Sequence, residues 1–514
     1  MRLLLSGLLA LLALPVLAQY KGAKPISKSW KPGFDTLTLE KSKTVLGKIA
    51  GPGFRGRSPL NGDFNLAAGW LAARLESDGI RPGGDDGTYF HRFTVWDTTP
   101  IPEATQFRSE DGKLVIRFGA DFSVLSTLPT TWQTPKVAFV NIPKGADWKS
   151  LDLRQLKDRW VFLSPSAAAT GEFRKRLNGA DGAASPGQAG IIVSNERSAD
   201  QKVTPLKSRS IKDFPDPRRP LLSGFSFSTR AISDIATKCG ASQFLSTTAV
   251  APSLETSEQS FFIDVKVLST EFPMINVIGK IEGSDPVLKQ QAIMVGSHLD
   301  HFGPSRTGIL FGADDNGSGC TVNLMIAEAI IANPVKPRRT VYCSFWNCEE
   351  LGLFGSYAYV QRPTVPLKDI AAYINMDMVG RNENDPRFNE TPDNNEKSVY
   401  PSGVAFNSPD FLKVLFDQNQ HVGLVLKPDV EDRIMRSDSG SFAWKEIPTV
   451  KVFTGDHEDY HKATDTVEKI NYVKMTNIAK WLYLSVEELA AASNRPSWRP
   501  QPFKALPWAD PRKS

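Results

Sequence analysis

From residue 275 onward, short apolar runs alternate with stretches of helical spacing. The runs are INVIGKI, AIMVGSH, TVYCSFWN, AAYINMDM and PTVKVFTG. Between them lie the candidate helix SGCTVNLMIAEAIIAN, another from about 351, one near 410, and a last one over 472–492 carrying Ile478, Leu482 and Leu489 on one side. Near-continuous apolar strands in strict alternation with helices predict an α/β fold, a mainly parallel sheet flanked by helices on both faces. Ahead of this region, Leu66, Trp70, Leu71 and Leu75 repeat at helical spacing within 63–79. From about 125 to 250 the apolar runs are shorter, WVFLSP and GIIVS, with one helical candidate, GEFRKRLNGA, and the loop-rich KSRSIKDFPDPRRP. This segment reads as a smaller inserted domain; residues 19–124 and 251–493 read as the main one, followed by a Pro/Trp-rich tail over 494–514.

The chain begins with an early Arg, an apolar run from Leu3 to Leu14, and small residues at Val16 and Ala18. That pattern predicts a signal peptide over 1–18 and a secreted or periplasmic protein. No later stretch is long and apolar enough to span a bilayer, so no membrane attachment is expected after cleavage. The 514 residues carry 61 basic and 56 acidic side chains, and the basic ones are scattered. Nucleic acid is a poor partner for such a surface. Oligomeric state is left open by the sequence. Four cysteines in this length are no disulfide framework, and Cys343 and Cys348, five apart on one strand, point to opposite faces.

In a sheet of this kind, chemistry gathers beyond the carboxyl ends of the strands. There the chain places a carboxylate or imidazole each time. His298 and Asp300 follow AIMVGS; on extended backbone residues i and i+2 share a face, so Asp300 is expected to hold the far ring nitrogen of His298. Asp314 and Asp315 precede a Gly-rich turn that opens a helix, where Asn316 or Ser318 would suffice as a cap. Glu349 and Glu350 leave a buried strand together, and adjacent carboxylates there call for a cation or a neutralised partner. Asp377 ends the next strand, and His457, Asp459 and His461 follow the last. Donors of these types without thiolate suit two zinc ions of the catalytic kind, one carboxylate bridging and positions left open for water. His301 and His457 are expected beside the ligands rather than among them, and His91 and His421 as ordinary histidines. Cys348 is expected to be a packed residue.

This order of motifs resembles the co-catalytic zinc peptidases that include secreted bacterial aminopeptidases and glutamate carboxypeptidase II, over roughly residues 255–490. The resemblance implies that His298 and Asp377 hold one zinc, Glu350 and His461 the other, that Asp314 bridges, and that the 314–315 peptide bond is cis. Glu349 would be the general base, with Asp300 supporting catalysis, and the substrate a peptide. An aminopeptidase is the expected activity. A carboxypeptidase or deacylase of the same chemistry is the nearest alternative, but those enzymes carry a lid between their last two ligand motifs. Here the insertion precedes His298, and it resembles a protease-associated domain. A binding protein on the same fold would have lost ligands, and this chain keeps five. In RSDSGSFAWKEIP, residues 436–448, Ser439 and Glu446 stand where the family often has His and Gly. The loop RNENDPRFNETPDNNEK, with five acidic and three basic residues, is expected to draw a substrate ammonium group.

Overall fold

The computed structural model describes residues 24–119, 121–124, 130–179, 185–188, 190–193, 208–211, 225–383, 391–428 and 432–498. The expected signal peptide, residues 384–390 of the acidic loop and the tail beyond 498 lie outside them. The chain divides into two compact units, one of residues 1–94 and 273–514, the other of residues 95–272.

The strands of the first unit that frame the site are β1 (Val267–Ile281, entering from residue 273), β2 (Ala292–His298), β3 (Thr340–Trp346), β4 (Ile370–Met376), β5 (Ser398–Ser402), β6 (Val425–Leu426) and β7 (Thr449–Phe453). They lie in the order β1-β3-β2-β4-β7-β5-β6. The central β3-β2-β4-β7 set is parallel, whereas β1 and β5 join it antiparallel. The sheet is thus mainly parallel with antiparallel strands toward its margins. The helices packed around them include α1 (Leu39–Ile49), α2 (Asp63–Ser77), α3 (Gly319–Ala332), α4 (Phe354–Gln361), α5 (Pro409–Asn419), α6 (Ser439–Ala443) and α7 (Tyr472–Ala491). Asn471 caps α7, its side chain accepting from the Lys474 amide at 3.0 Å, which fixes the predicted start.

The two-residue period of the strands sorts the faces. Ile293 and Val295, Val341, Cys343 and Phe345, Ala372 and Ile374, and Val450 and Val452 all join one core with α3 and α7. Helix α3 is mainly apolar and buried through Ile330, each such Leu or Ile contributing about 1.5–3 kcal/mol. The alternate residues face α4 and α6: Phe442 stacks on Tyr373 at 3.8 Å, and Trp346 packs on Tyr359 at 5.2 Å. Gly296 belongs to this face because a Cβ there would lie 2.2 Å from Tyr373 Oη and 2.7 Å from Trp346 Nε1. His298, Asp377 and Lys451 continue the same alternation to the carboxyl edge of the parallel strands.

Helix α2 forms where expected with a different phase. Phe64, Ala67, Ala68, Leu71 and Leu75 are buried, and Leu66 turns outward, 57% exposed. All four cysteines are free. No helix among the described residues is long and apolar enough to cross a membrane.

The second unit is wider than the expected 125–250 insertion. The strands Gln106–Ser109 and Thr130–Gln133 both pair with Phe261–Val265, tying segments on either side of those bounds into one sheet. A four-stranded sheet, ordered Ser253–Ser257, Val137–Asn141, Trp160–Leu163, Gly190–Val193, accompanies it. Phe107, Phe139, Phe162, Phe227 and Phe261 fill the larger core of this unit.

His91 is fully buried in the first unit. Its Nε2–H donates to the Arg362 carbonyl at 3.0 Å and its Nδ1 accepts from Asn276 Nδ2 at 3.0 Å. The bond accepted by Nδ1 requires the neutral ring, and burial lowers its pKa to about 4 against the weaker pull of Asp85 and of the Arg362 carbonyl. The unfolded chain takes up this proton near pH 6.5 and the folded one only near 4. Stability from this group is therefore complete above 6.5 and is lost as pH falls toward 4, by about 3 kcal/mol. Urea unfolding of the wild type and of His91→Gln across pH 7 to 4 is expected to show a shallower acid loss in the variant.

Candidate metal centre

Because β2, β3 and β4 run parallel, His298, the Glu349–Glu350 pair and Asp377 leave the sheet at one edge. His298 Nε2 lies 3.4 Å from Asp377 Oδ1 and 3.3 Å from Asp315 Oδ1. The other oxygen of Asp315, Oδ2, lies 3.2 Å from His461 Nε2, which is itself 3.4 Å from Glu350 Oε2. Asp315 thus stands between two sets of donors and turns one oxygen to each. Glu349 Oε2 reaches to 4.0 Å from His298 Nε2.

The bridging position is the one at which the expectation fails. Asp314 turns away: Oδ1 accepts from the Gly380 amide at 2.7 Å, and Oδ2 sits 3.2 Å from His457 Nε2. Its own amide and that of Asp315 donate to the Asp465 carboxylate at 3.0 and 3.1 Å, anchoring the turn. The turn over residues 313–318 therefore presents its second aspartate, and the cis peptide bond is Asp315–Asn316, not 314–315. At Gly312, with φ of 58°, a Cβ would lie 2.0 Å from the Asp315 carbonyl and 2.6 Å from the His301 ring, so only glycine lets the chain enter so tightly.

Asp300 also works differently from expectation. The His298 Nδ1–H donates to the backbone carbonyl of Asp300 at 3.1 Å, fixing the tautomer that turns Nε2 to the cluster. The Asp300 carboxylate, 3.9 Å from that ring, accepts instead from the amides of Glu349 and Glu350 at 3.1 and 3.3 Å. It positions the glutamate pair. Burial raises its pKa to about 6, with Glu350 adding and His298 opposing.

His301 comes closer than expected. Its Nδ1 is 2.6 Å from Glu350 Oε1 and 3.8 Å from Asp315 Oδ2, so it holds the Glu350 oxygen that His461 does not meet. His457 stays with Asp314, as a neighbour of the cluster. Lys451, buried in the apolar strand β7, places Nζ 2.9 Å from Asp377 Oδ2 and holds the oxygen that faces away from His298. The sequence signal was available: a lysine inside TVKVF has no place on a buried face without a partner. Cys348, Met378 and His461 are non-glycine residues at φ of 58°, 59° and 56°, each at or beside a cluster residue. Such conformations cost about 1–3 kcal/mol each and persist where the surroundings fix them.

Without a cation the charges of this cluster balance only through protons held on its histidines and on Glu349. Burial would lower the pKa of His298, yet Glu349, Asp315 and Asp377 raise it well above the ordinary value; His461 is raised to about 9 by Asp315 and Glu350 against burial. Glu349 is pushed well up by burial, with Glu350, Asp377 and Asp438 adding. Asp438, fully buried behind the site, is raised to about 7 by burial with Asp300 and Asp377 adding, while His298 opposes. Asp315 Oδ2 and His461 Nε2 are buried atoms with no hydrogen-bond partner among the described residues. Donor separations of 3.2–3.4 Å match the edge of a tetrahedron built on zinc bonds of about 2.0–2.1 Å. The residues fit metal.

Residues 276–486 match peptidase family M28. Leupeptin-inactivating enzyme 1 of Streptomyces exfoliatus is 30% identical over 38% of this chain and 38% of its own. Leucine aminopeptidase 2 of Arthroderma otae is 30% identical over 38% of this chain and 41% of its own, and an aminopeptidase of Pseudomonas aeruginosa 28% over 51% and 43%. The chain spans less than half the length of these curated relatives. Among solved structures, an aminopeptidase from Aneurinibacillus sp. aligns with a TM-score of 0.47 at 16% identity, covering 92% of this chain and 98% of its own. The edge of the parallel strands and the acidic–imidazole cluster upon it both lie within the matched segment, and residues 276–486 of this chain are a domain of peptidase family M28.

Proposed function

We propose that the chain is an exported zinc-dependent aminopeptidase that hydrolyses the N-terminal amide bond of peptides. The observation that carries this reading is Asp315, whose two oxygens face two separate sets of donors 3.2–3.3 Å away. His298 and Asp377 would hold one zinc, Glu350 and His461 the other, and Asp315 both. When bound, such a pair lowers the pKa of a water and polarises the scissile carbonyl. Glu349, beside the ligands and not needed among them, takes the proton of the attacking water on its carboxylate and returns it to the leaving nitrogen. Asp300 keeps Glu349 and Glu350 aimed through their amides, and Lys451 does the same for Asp377. The unit of residues 95–272 is proposed as a protease-associated domain, on the resemblance of its sequence.

Purified protein is expected to carry two zinc ions per chain and to release free amino acids from unblocked peptides while sparing N-acetylated ones. Chelation stops the release and added zinc restores it. Release from N-acetylated peptides in preference, or full activity after chelation, would overturn the reading.

A further inference from the structure

The residues assigned to the metals are not held alike. His298 has its ring fixed by the Asp300 carbonyl, Asp377 has Lys451 at 2.9 Å, and Glu350 has His301 at 2.6 Å and the Asp300 carboxylate on its amide. His461 has no such support. Its side chain is 35% exposed, the most open of the set, and among the described residues no hydrogen bond holds its Nδ1. The ring is flanked by Tyr460, stacked at 3.7 Å, and by Phe302 at 4.6 Å, and both neighbours are themselves exposed. The aim of His461 is therefore set by the backbone that carries it.

That backbone is a tight turn. The Lys462 amide donates to the Asp459 carbonyl at 3.0 Å, closing a turn of four residues in which His461 stands third, at φ of 56°. A positive φ at that position suits glycine or asparagine, and a histidine keeps it only where contacts outside the turn hold it. Asp459, the first residue of the turn, supplies such contacts. Its side chain is 6% exposed and faces two cations: Oδ1 lies 2.5 Å from Lys469 Nζ, and Oδ2 lies 3.0 Å from Arg381 Nη2. Arg381 is anchored in turn, because its carbonyl accepts from Lys474 Nζ of α7 at 3.0 Å and the preceding Gly380 carbonyl accepts from the Asn471 amide at 2.8 Å. His457, which approaches Asp314 at 3.2 Å, holds the start of the loop and lies outside the turn.

We infer that Asp459 is the positioning residue of the second set of donors: clamped by Arg381 and Lys469, it holds the turn that aims His461, and so sets how tightly the zinc between His461 and Glu350 is bound. The inference rests on the metal reading of the cluster. Without the clamp the turn relaxes toward negative φ and carries Nε2 away from Asp315 and Glu350. Zinc must then reimpose the turn, and its affinity falls accordingly. The other set, His298 and Asp377 on the ends of parallel strands, is left as it was.

Zinc affinities of the full chain are read by competition with a chromophoric chelator. The wild type is expected to bind two ions, and His461→Ala to weaken one of them, which identifies that ion. Asp459→Asn is expected to weaken the same ion by about 10- to 100-fold and to leave the other unchanged, with Asp459→Glu restoring part of the loss. Lys469→Met, at a side chain 41% exposed, keeps the Arg381 contact and weakens that ion by less. In the double variant Asp459→Asn/His461→Ala the two losses do not add, because Asp459 acts through His461. Unchanged affinity for both ions would overturn the inference, since the turn then stands without its clamp. Equal weakening of both ions, or losses that add in full, would overturn it as well, since Asp459 then supports only the fold. If Asp459→Asn does not fold, Lys469→Met decides by the same comparison with His461→Ala. A wild type that binds fewer than two zinc ions fails the metal reading itself, and the inference with it.

Discussion

Glu349→Gln lowers turnover by about 10²- to 10⁴-fold while zinc stays bound. The substitution keeps the size and shape of the side chain and removes only its capacity to accept a proton. Glu349 Oε2 stands 4.0 Å from His298 Nε2, outside the 3.2–3.4 Å separations that mark the ligand pairs. Its amide, not its carboxylate, is engaged by Asp300, so the backbone of the glutamate pair keeps its anchor in the variant. A transfer that occurs only in the transition state should appear in kcat, with KM little changed. Metal content by elemental analysis and kcat on one unblocked peptide decide the matter together. Loss of zinc along with activity would make Glu349 a ligand, and retained activity would remove it from the reaction.

The cluster was legible in the sequence to the extent that strand polarity governs it. Parallel strands expose their carboxyl ends at one edge, so His298, Glu349, Glu350 and Asp377 could be brought together from the alternation of apolar runs alone. What was not legible depends on turns and on backbone atoms. Asp314 and Asp315 are equivalent by position before a glycine-rich turn; which faces the cluster is decided by the amides of Gly380 and by Asp465, residues far off in the chain. The pairing of His298 with Asp300 runs through a carbonyl every residue possesses, so the side-chain argument found the right residue and the wrong atom. The inserted unit was underestimated because its outer strands are joined by antiparallel pairings between segments some 155 positions apart, which no local pattern announces. In α2 the apolar period was right, and small buried residues, Ala67 and Ala68, took the face that Leu66 was expected to fill.

The two adjacent aspartates should respond oppositely to the same change. Asp315→Asn replaces one oxygen of the carboxylate shared by both half-sites with an amide that cannot ligate, and removes the negative charge that faces His298 and His461 together. Zinc per chain after dialysis is expected to fall below one, and activity to fall with it, by more than the 10- to 100-fold typical of a change one step removed from the metal. Asp314→Asn keeps an oxygen for the Gly380 amide, and its buried partners are protein groups. Zinc should stay, and the loss is one of stability, about 1–3 kcal/mol if the contact with His457 is left unsatisfied. Thermal unfolding and zinc content of the two variants, measured side by side, separate a ligand from an anchor. Should Asp314→Asn be the variant that loses metal while Asp315→Asn keeps it, the shared carboxylate would belong to Asp314. The turn would then have to rotate by one residue on binding zinc, breaking the contacts to Gly380 and Asp465 that now hold it.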